Sequence, residues 1–405
     1  MGRARISFGR SVLTIAGAVG TLTCTGPVGS RADGLAPGIT VGTRFDRPVS
    51  GAPGGGGAWF GTLTPLVLYE RLGPFTNWDF RAQRRYDTNA DVPGLHHAND
   101  VLSGSLDTRW SERSYAKLDG TYFYSRDIFT PDPQAAFAPS TQSRGSAEAD
   151  VETGRTEAGI AYEVTNYDEP GYEDGTSLAW HAGLFPFTSE QQRWVIDWRR
   201  EELTVGGRTE LATSTATAGL RRQHTPRLSS QLEAGVVWIT EDIGGAPRQD
   251  LAVVAGLVGF GQALHLPFDA RIEFRHDVAT SGVAEIWRSI PGRRVALRWE
   301  KDLNARGGYF NEATFQDYFV FEAQDTLGGR SIVSLEGSYR RERPRSLPQE
   351  GLDTYRAAAA FSRDLQPWLR GRVRYSLAQQ RATAGISAYD FDRNRVELML
   401  SAVYQ

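Results

Sequence analysis

The sequence has little cysteine, little histidine and no long apolar run. Cys24 is the single cysteine among 405 residues, and only six histidines are present. After the N-terminus, no segment approaches the roughly 18 uncharged apolar residues that a membrane-spanning helix needs. The nearest candidate, residues 251–264, is short and broken by glycine. The sequence therefore predicts no membrane-spanning helix.

The N-terminus has the pattern of a secretory signal peptide. Three arginines precede a short apolar core, and residues 30–32 supply small side chains at a cleavage position. We predict a cleaved signal at residues 1–32. A lipid anchor on Cys24 is the alternative, but the preceding Thr-Leu-Thr is a poor lipobox. Cleavage would remove Cys24, which excludes disulfides and thiolate metal sites from the mature chain.

The net charge of the mature chain limits the kinds of partner that it is expected to bind. Cleavage of the signal would leave 48 acidic residues against 41 basic ones, a net charge of −7. An exported chain that is mildly acidic does not have the basic surface of a nucleic-acid-binding protein. We therefore predict no nucleic-acid partner.

Glycine and short alternating segments dominate what is present. The chain has 44 glycines and only 40% hydrophobic residues, a composition typical of all-β proteins. Segments with period-two polarity recur between turn residues, as in TNWDFRAQRRYD, where Trp78 and Phe80 alternate with Arg81 and Arg85. Counting these segments gives about eighteen strands, within a range of roughly 16 to 20. ITVGTRF adds a candidate short strand before them.

A closed barrel in a membrane explains this pattern better than a secreted soluble sheet. So many strands would need several soluble cores, yet no linker divides the chain. Short turns also alternate with longer polar loops, as in outer-membrane barrels. We predict an all-β, transmembrane, antiparallel up-and-down β-barrel at residues 57–405, preceded by an N-terminal segment at 33–56. Tryptophans near strand ends are candidates for an aromatic girdle: Trp59, Trp110, Trp194, Trp238 and Trp368.

One region does not fit a simple strand count. Within residues 147–164 the apolar face changes, because Val151 lies on one parity while Ile160 and Tyr162 lie on the other. Either a strand count that is wrong by one or a β-bulge would produce this change.

Two stretches resemble known proteins. The ending FDRNRVELMLSAVYQ resembles the final strand of bacterial outer-membrane barrels. The stretch that begins WDFRAQRRYDTNADVPGLHHAND is similar to large barrels encoded with exopolysaccharide and exosortase-type export systems. The resemblance implies an outer-membrane location, insertion by the barrel-assembly machinery, and a porin-like or polysaccharide-export role.

Charged residues on the polar face are the candidate functional residues. A charge that faced lipid near the midplane would cost roughly 2–4 kcal/mol, so these side chains should point into the lumen. They form either a bracing Arg–Glu network or a basic track for anionic solutes or acidic polysaccharide. The predicted lumen residues are Arg81, Arg85, Arg271, Arg275, Arg294, Arg298, Arg370, Arg372, Arg374, Glu273, Glu300 and Glu336.

No residue pattern predicts catalysis, a metal or a cofactor. His96 and His97 form the only histidine cluster and lack a spaced third ligand. The expected partners are outer-membrane lipid, lipopolysaccharide, the assembly machinery, and small solutes or polysaccharide. An enzyme with an active site at the rim and a plugged structural barrel remain the competing classes.

Overall fold

The structure, a computed structural model, is a closed antiparallel β-barrel. It describes residues 34–47, 57–89, 97–111, 114–125, 142–168, 173–189, 191–241, 248–276, 280–304, 314–344, 351–383 and 390–403. These residues form twenty strands, and the first strand pairs with both the second and the last, which closes the sheet. The predicted signal peptide, His96 and Tyr404 lie outside the described residues.

The strands follow one another around the barrel in chain order. They are β1 (Gly34–Arg47), β2 (Ala58–Leu72), β3 (Thr76–Thr88), β4 (His97–Ser111), β5 (Ser114–Ser125), β6 (Gln142–Glu152), β7 (Thr156–Tyr167), β8 (Gly175–Leu184), β9 (Gln192–Val205), β10 (Arg208–Thr225), β11 (Leu228–Glu241), β12 (Arg248–Val258), β13 (Asp269–His276), β14 (Thr280–Ile290), β15 (Arg293–Asn304), β16 (Thr314–Leu327), β17 (Ser331–Pro344), β18 (Gly351–Gln366), β19 (Leu369–Thr383) and β20 (Phe391–Val403). A single helical turn, α1 (Phe260–Ala263), lies between β12 and β13.

The two ends of the barrel differ in how the strands are joined. We call the end at which β18 joins β19 the short-turn end, because only Pro367 and Trp368 connect those strands. The opposite end, where nine residues separate β15 from β16, is the long-loop end. Most connections follow this division, although ten residues join β12 to β13 at the short-turn end and two join β9 to β10 at the long-loop end. Outer-membrane barrels show such an asymmetry, with short periplasmic turns and longer extracellular loops.

Side chains alternate between an outer apolar face and an inner polar face. On β19, Val373 and Tyr375 are exposed on the outside, whereas Arg372 and Arg374 point inward. Large apolar side chains are exposed on the outside of every described strand except β10. An apolar belt around a closed barrel is the surface that lipid requires, so the fold is that of a membrane-spanning β-barrel. Among the described residues, no helix is long and apolar enough to cross a membrane.

The barrel has twenty strands rather than the predicted total of about eighteen. Two strands account for the difference: β1, and one strand of a hairpin within residues 147–164, where β6 ends at Glu152 and β7 begins at Thr156. The backbone N–H of Thr153 donates to the carbonyl of Thr156 at 2.7 Å, which closes a three-residue turn. The last pair before the turn joins Glu152 to Glu157, five positions apart, and this odd separation changes the parity, so Val151 and Ile160 both lie on the outside.

The barrel also begins earlier than predicted, at Gly34 rather than at residue 57. The predicted short strand ITVGTRF lies within β1, a full-length strand that pairs with both β2 and β20. Glycine and proline lower the β-propensity of this segment and weaken its sequence signal. Glycine is needed because a Cβ on Gly42 would lie 2.1 Å from the carbonyl oxygen of Leu398.

Candidate functional site

All twelve predicted lumen residues lie on the inner face of the barrel. Their cross-strand partners also point inward and include both polar and apolar residues, as with Arg298 opposite Glu285 and Val320. The apolar residues on either side of Arg298 in the chain, Leu297 and Trp299, point outward. The period of two therefore separates charge from lipid on each of these strands.

Most of the predicted arginines are paired with carboxylates. Arg271 donates to Glu273 at 2.9 Å, and Arg298 donates to Glu300 at 3.0 Å. Residues two apart on a strand share a face, so a long guanidinium side chain reaches the next carboxylate on its own strand. These pairs match the bracing network. Further pairs join Arg294 to Glu322 and Arg85 to Asp87 and Glu397.

The arginines of β19 form a ladder in which the middle rung differs from the other two. Arg370 is ion-paired with Asp364, and Arg374 donates to Glu336 at 3.1 Å. Arg372 lies between them, partly accessible, and no carboxylate in the described part of the chain comes within ion-pairing distance of it. Its guanidinium donors are thus available to an anion. We call Arg370, Arg372 and Arg374 the arginine ladder.

The structure reveals a second ladder, of opposite charge, that sequence analysis missed. Glu148, Asp150 and Glu152 point inward on β6, and we call them the acidic ladder. Glu152 accepts from Arg193 at 2.7 Å, and Asp150 lies 4.0 Å from His181. The signal was the alternation EADVE, but it fell in the region where the missed hairpin obscured which side chains share a face.

The two ladders lie in different sectors of the wall. Seven strand spacings out of twenty separate β19 from β6, just over a third of the circumference. Opposite charges on separate sectors of a lumen create an electric field across it.

The inner face is accessible toward the short-turn end and buried toward the long-loop end. On β15 the exposed fraction of the side chain falls from 52% at Arg294 to 17% at Arg298 and 5% at Glu300. On β19, Ala378 and Gln380 are buried, whereas the arginine ladder, which lies nearer the short-turn end, is partly accessible. Inward-facing side chains are therefore accessible to solvent near the short-turn end and buried in the long-loop half, which we call the closed half.

Buried ion pairs brace the closed half where β1 meets β20. Arg395 donates from two nitrogens to the two oxygens of Asp46, at 2.7 and 2.9 Å. Arg44 donates to Asp87 at 2.8 Å, and Arg85 reaches Glu397 at 2.8 Å. These pairs link β3, β1 and β20, so they tie together the first and last strands of the barrel. We call them the seam network.

One sector is buried even near the short-turn end. Arg221 donates to both oxygens of Glu157, at 2.8 and 3.0 Å, and lies 3.6 Å from Glu233. The ring of Phe185 lies under the guanidinium groups of Arg221 and Arg193. These buried contacts stabilise the wall between β7 and β11. The accessible part of the inner face therefore belongs to the remaining strands.

The outer face carries aromatic residues near both ends. The five predicted girdle tryptophans are all exposed: Trp59, Trp110, Trp194, Trp238 and Trp368. The structure adds a chain of ring contacts between neighbouring residues that runs across β13 to β18: Phe274, Trp299, Phe319, Tyr339 and Tyr355. Only the cross-strand register could have shown that these rings meet.

Metal-binding geometry is not found among the described residues, where no group of three or more His, Cys, Asp and Glu side chains could hold an ion. The side chains of His96 and His97 lie outside what the structure describes.

No protein-family model matches the sequence, and no curated protein matches it. Among solved structures, the chain is similar to the outer membrane protein OpdK of Pseudomonas aeruginosa, with 10% identity, 92% of this chain and 99% of that chain covered, and a TM-score of 0.38. It is also similar to OpdL of that organism, with 9% identity, 92% and 98% covered, and a TM-score of 0.35.

A third similar structure is a mutant of the ferric enterobactin receptor PfeA of Pseudomonas aeruginosa. The identity is 10%, 93% of this chain and 81% of that chain are covered, and the TM-score is 0.45. The class of the present chain is defined by its own closure, its apolar belt and its charged interior. It is a membrane-spanning β-barrel with a polar lumen.

Proposed function

We propose that the chain is a bacterial outer-membrane, porin-like channel that conducts small anionic solutes passively. The observation that carries this proposal is Arg372, a partly accessible inward-facing arginine with no carboxylate partner among the described residues. Arg370 and Arg374, on either side of it, are neutralised by ion pairs that stabilise the wall. The positive charge of Arg372 is therefore available to a solute.

The arginine ladder provides a path rather than a tight site. An anion that enters at the short-turn end meets Arg370, then Arg372, then Arg374, on alternate residues of one strand. Conduction requires binding that is strong enough for entry and weak enough for release. Asp364 and Glu336 weaken the two outer rungs, which leaves Arg372 as the strongest step.

The apolar belt and the asymmetry of turns and loops support an outer-membrane location. In that orientation the short-turn end faces the periplasm, and lipopolysaccharide and the barrel-assembly machinery are the expected partners. Export of an acidic polysaccharide is a narrower version of the same proposal. Its support is the sequence resemblance to barrels of export systems, together with the basic path.

A barrel with a permanently closed lumen is the second candidate. It is favoured by the burial of inward-facing side chains in the long-loop half, including the seam network. A channel must open this half, so conduction by this chain should occur as transitions between closed and open levels.

Single-channel recording in planar bilayers tests the proposal. Wild-type protein should show discrete conductance with a preference for chloride over potassium, and Arg372→Ala should reduce that preference. Arg84→Ala is the matched control, because Arg84 lies on the outer face, where it pairs with Asp100. Silence of the wild-type protein at all voltages would favour the closed barrel. Hydrolysis of lipid or peptide by the purified protein would instead favour the enzyme.

A further inference from the structure

Four exposed arginines lie on the outside of the short-turn end, between β14 and β19. Arg288 and Arg293 flank the turn from β14 to β15, Arg330 lies in the turn from β16 to β17, and Arg363 lies near the end of β18. The register places Arg363 opposite Ser331, next to Arg330 in the chain. We call these four residues the basic rim.

Three of the four arginines lack an acidic partner. Arg293 lies 3.0 Å from Asp325, but Arg288, Arg330 and Arg363 have no ion pair within the part of the chain that the structure describes. The four arginines of the basic rim therefore have a single acidic neighbour, Asp325, and together with it carry a net charge of +3.

Three arginines on the outside of the long-loop half are arranged differently. Arg84 pairs with Asp100, Arg200 with Glu202 at 2.6 Å, and Arg341 with Asp353. Each of these outward guanidinium groups is balanced by a carboxylate on its own or a neighbouring strand. Arg47 and Arg343, which also lie on the outer face near the long-loop end, have no ion pair among the described residues, so the contrast holds for these three arginines and not for the whole end.

Large apolar side chains are interleaved with the basic rim. Ile290, Leu327, Leu365 and Trp368 are all exposed at the same end of the same strands. Free cations beside exposed apolar and indole groups match an interface where acyl chains meet anionic headgroups. We propose that the basic rim is a binding site for anionic phospholipid in the leaflet at the short-turn end.

A lipid fits this surface better than an acidic soluble protein does. The apolar residues of the rim continue into the outer belt, as Val295 and Phe361 show, and a soluble partner could not cover that belt. A phospholipid supplies both chemistries together, because its phosphate pairs with guanidinium groups while its chains cover the apolar neighbours. The site rests on the barrel spanning a membrane and is independent of conduction through the lumen.

The test is lipid selection by the full chain in nanodiscs made from equal amounts of phosphatidylglycerol and phosphatidylcholine. Native mass spectrometry after detergent exchange measures which lipid stays bound. Wild-type protein should retain phosphatidylglycerol preferentially. The triple variant Arg288→Gln, Arg330→Gln, Arg363→Gln should lose that preference, by about fivefold for each arginine removed.

A triple variant at the other end is the matched control. Arg84→Gln, Arg200→Gln and Arg341→Gln remove the same charge from the long-loop half and should leave lipid selection unchanged. Lysine at the three rim positions should restore most of the preference, which also shows that the variants fold. Equal losses in both triple variants, or no preference in wild-type protein, would overturn the site, as would binding of an acidic soluble protein at the rim in place of lipid. Single-channel conductance should not change in the rim variant, so failure here is distinguishable from failure of the channel proposal.

Discussion

The two halves of the lumen use the same residue types for different purposes. In the long-loop half, Arg395 and Asp46 form a bidentate pair that is buried at the seam. In the short-turn half, Arg372 is partly accessible and has no carboxylate partner among the described residues. Burial decides the outcome, since a buried charge without a partner costs far more than an accessible one.

The difference shows that a ladder of charge does not by itself indicate a solute path. Arg298 and Glu300 alternate like Arg370 and Arg372, yet they pair with each other. An arginine of the ladder stays unpaired where the neighbouring strand places no acidic side chain opposite it. Arg372, for example, lies opposite Ser362. Within the arginine ladder, the functional candidate is thus identified by its missing partner and its access to solvent.

The largest effect should come from breaking the buried pair. Asp46→Asn leaves Arg395 and Arg44 without the carboxylate that they share, so it should destabilise the barrel by about 3–5 kcal/mol. The heat-modifiable shift in gel mobility should occur at a clearly lower temperature. Asp364→Asn is the control, because its accessible pair with Arg370 should contribute only about 1 kcal/mol or less. Equal shifts for the two variants would contradict the distinction between the halves.

Reversing the free rung should have the largest effect on selectivity. Arg372→Glu replaces the one unpaired positive charge of the ladder with a negative charge. The ratio of chloride to potassium permeability should fall by about fivefold for each unit of charge, because two charges 4 Å apart in water interact by about 1 kcal/mol. Reversal potentials in a potassium chloride gradient measure this ratio. A ratio equal to that of wild-type protein would remove Arg372 from the path.

Removing the carboxylate partner of Arg374 should raise the preference for chloride, the opposite of the effect expected for Arg372→Glu. Glu336→Gln removes the carboxylate that neutralises Arg374 and so should raise the preference for chloride, by up to about fivefold. The same reversal-potential measurement applies. If the preference falls or stays unchanged, the pairing of Arg374 has no influence on the solute path.

The smallest change is expected at the acidic ladder. Asp150→Asn removes one of its three charges and should raise the preference for chloride by less than about twofold, because Glu148 and Glu152 remain. Ala149→Ser is a control of similar position that points outward. A gain at Asp150 larger than the loss in Arg372→Ala would make the acidic ladder the dominant filter.

The sequence predicts which face a residue lies on better than it predicts what that residue does there. Strict alternation was enough to place Arg81, Arg271 and Arg374 on the inner face, because a one-residue slip would expose them to lipid. The partners could not be predicted, since Arg374 and Glu336 are 38 residues apart and meet across an intervening strand.

Two features of the fold were hidden for local reasons. The hairpin within residues 147–164 has a turn of only three residues, so its signal is a change of parity rather than a visible loop. β1 was underestimated because its glycines, needed for close approach to β20, are poor strand formers. Burial of the long-loop half has no signature in any single strand, because alternation is the same along its whole length.

The accessibility of the inner wall is the most direct test of the account. Ser362 and Ala378 both point inward, the first beside Arg372 in the accessible half and the second in the closed half. With Cys24 replaced by serine, each position would be changed to cysteine and treated with a charged, membrane-impermeant thiol reagent. The account predicts rapid labelling of Ser362→Cys and little labelling of Ala378→Cys. Equal labelling of the two, or none at Ser362→Cys, would contradict a lumen with one open and one closed half.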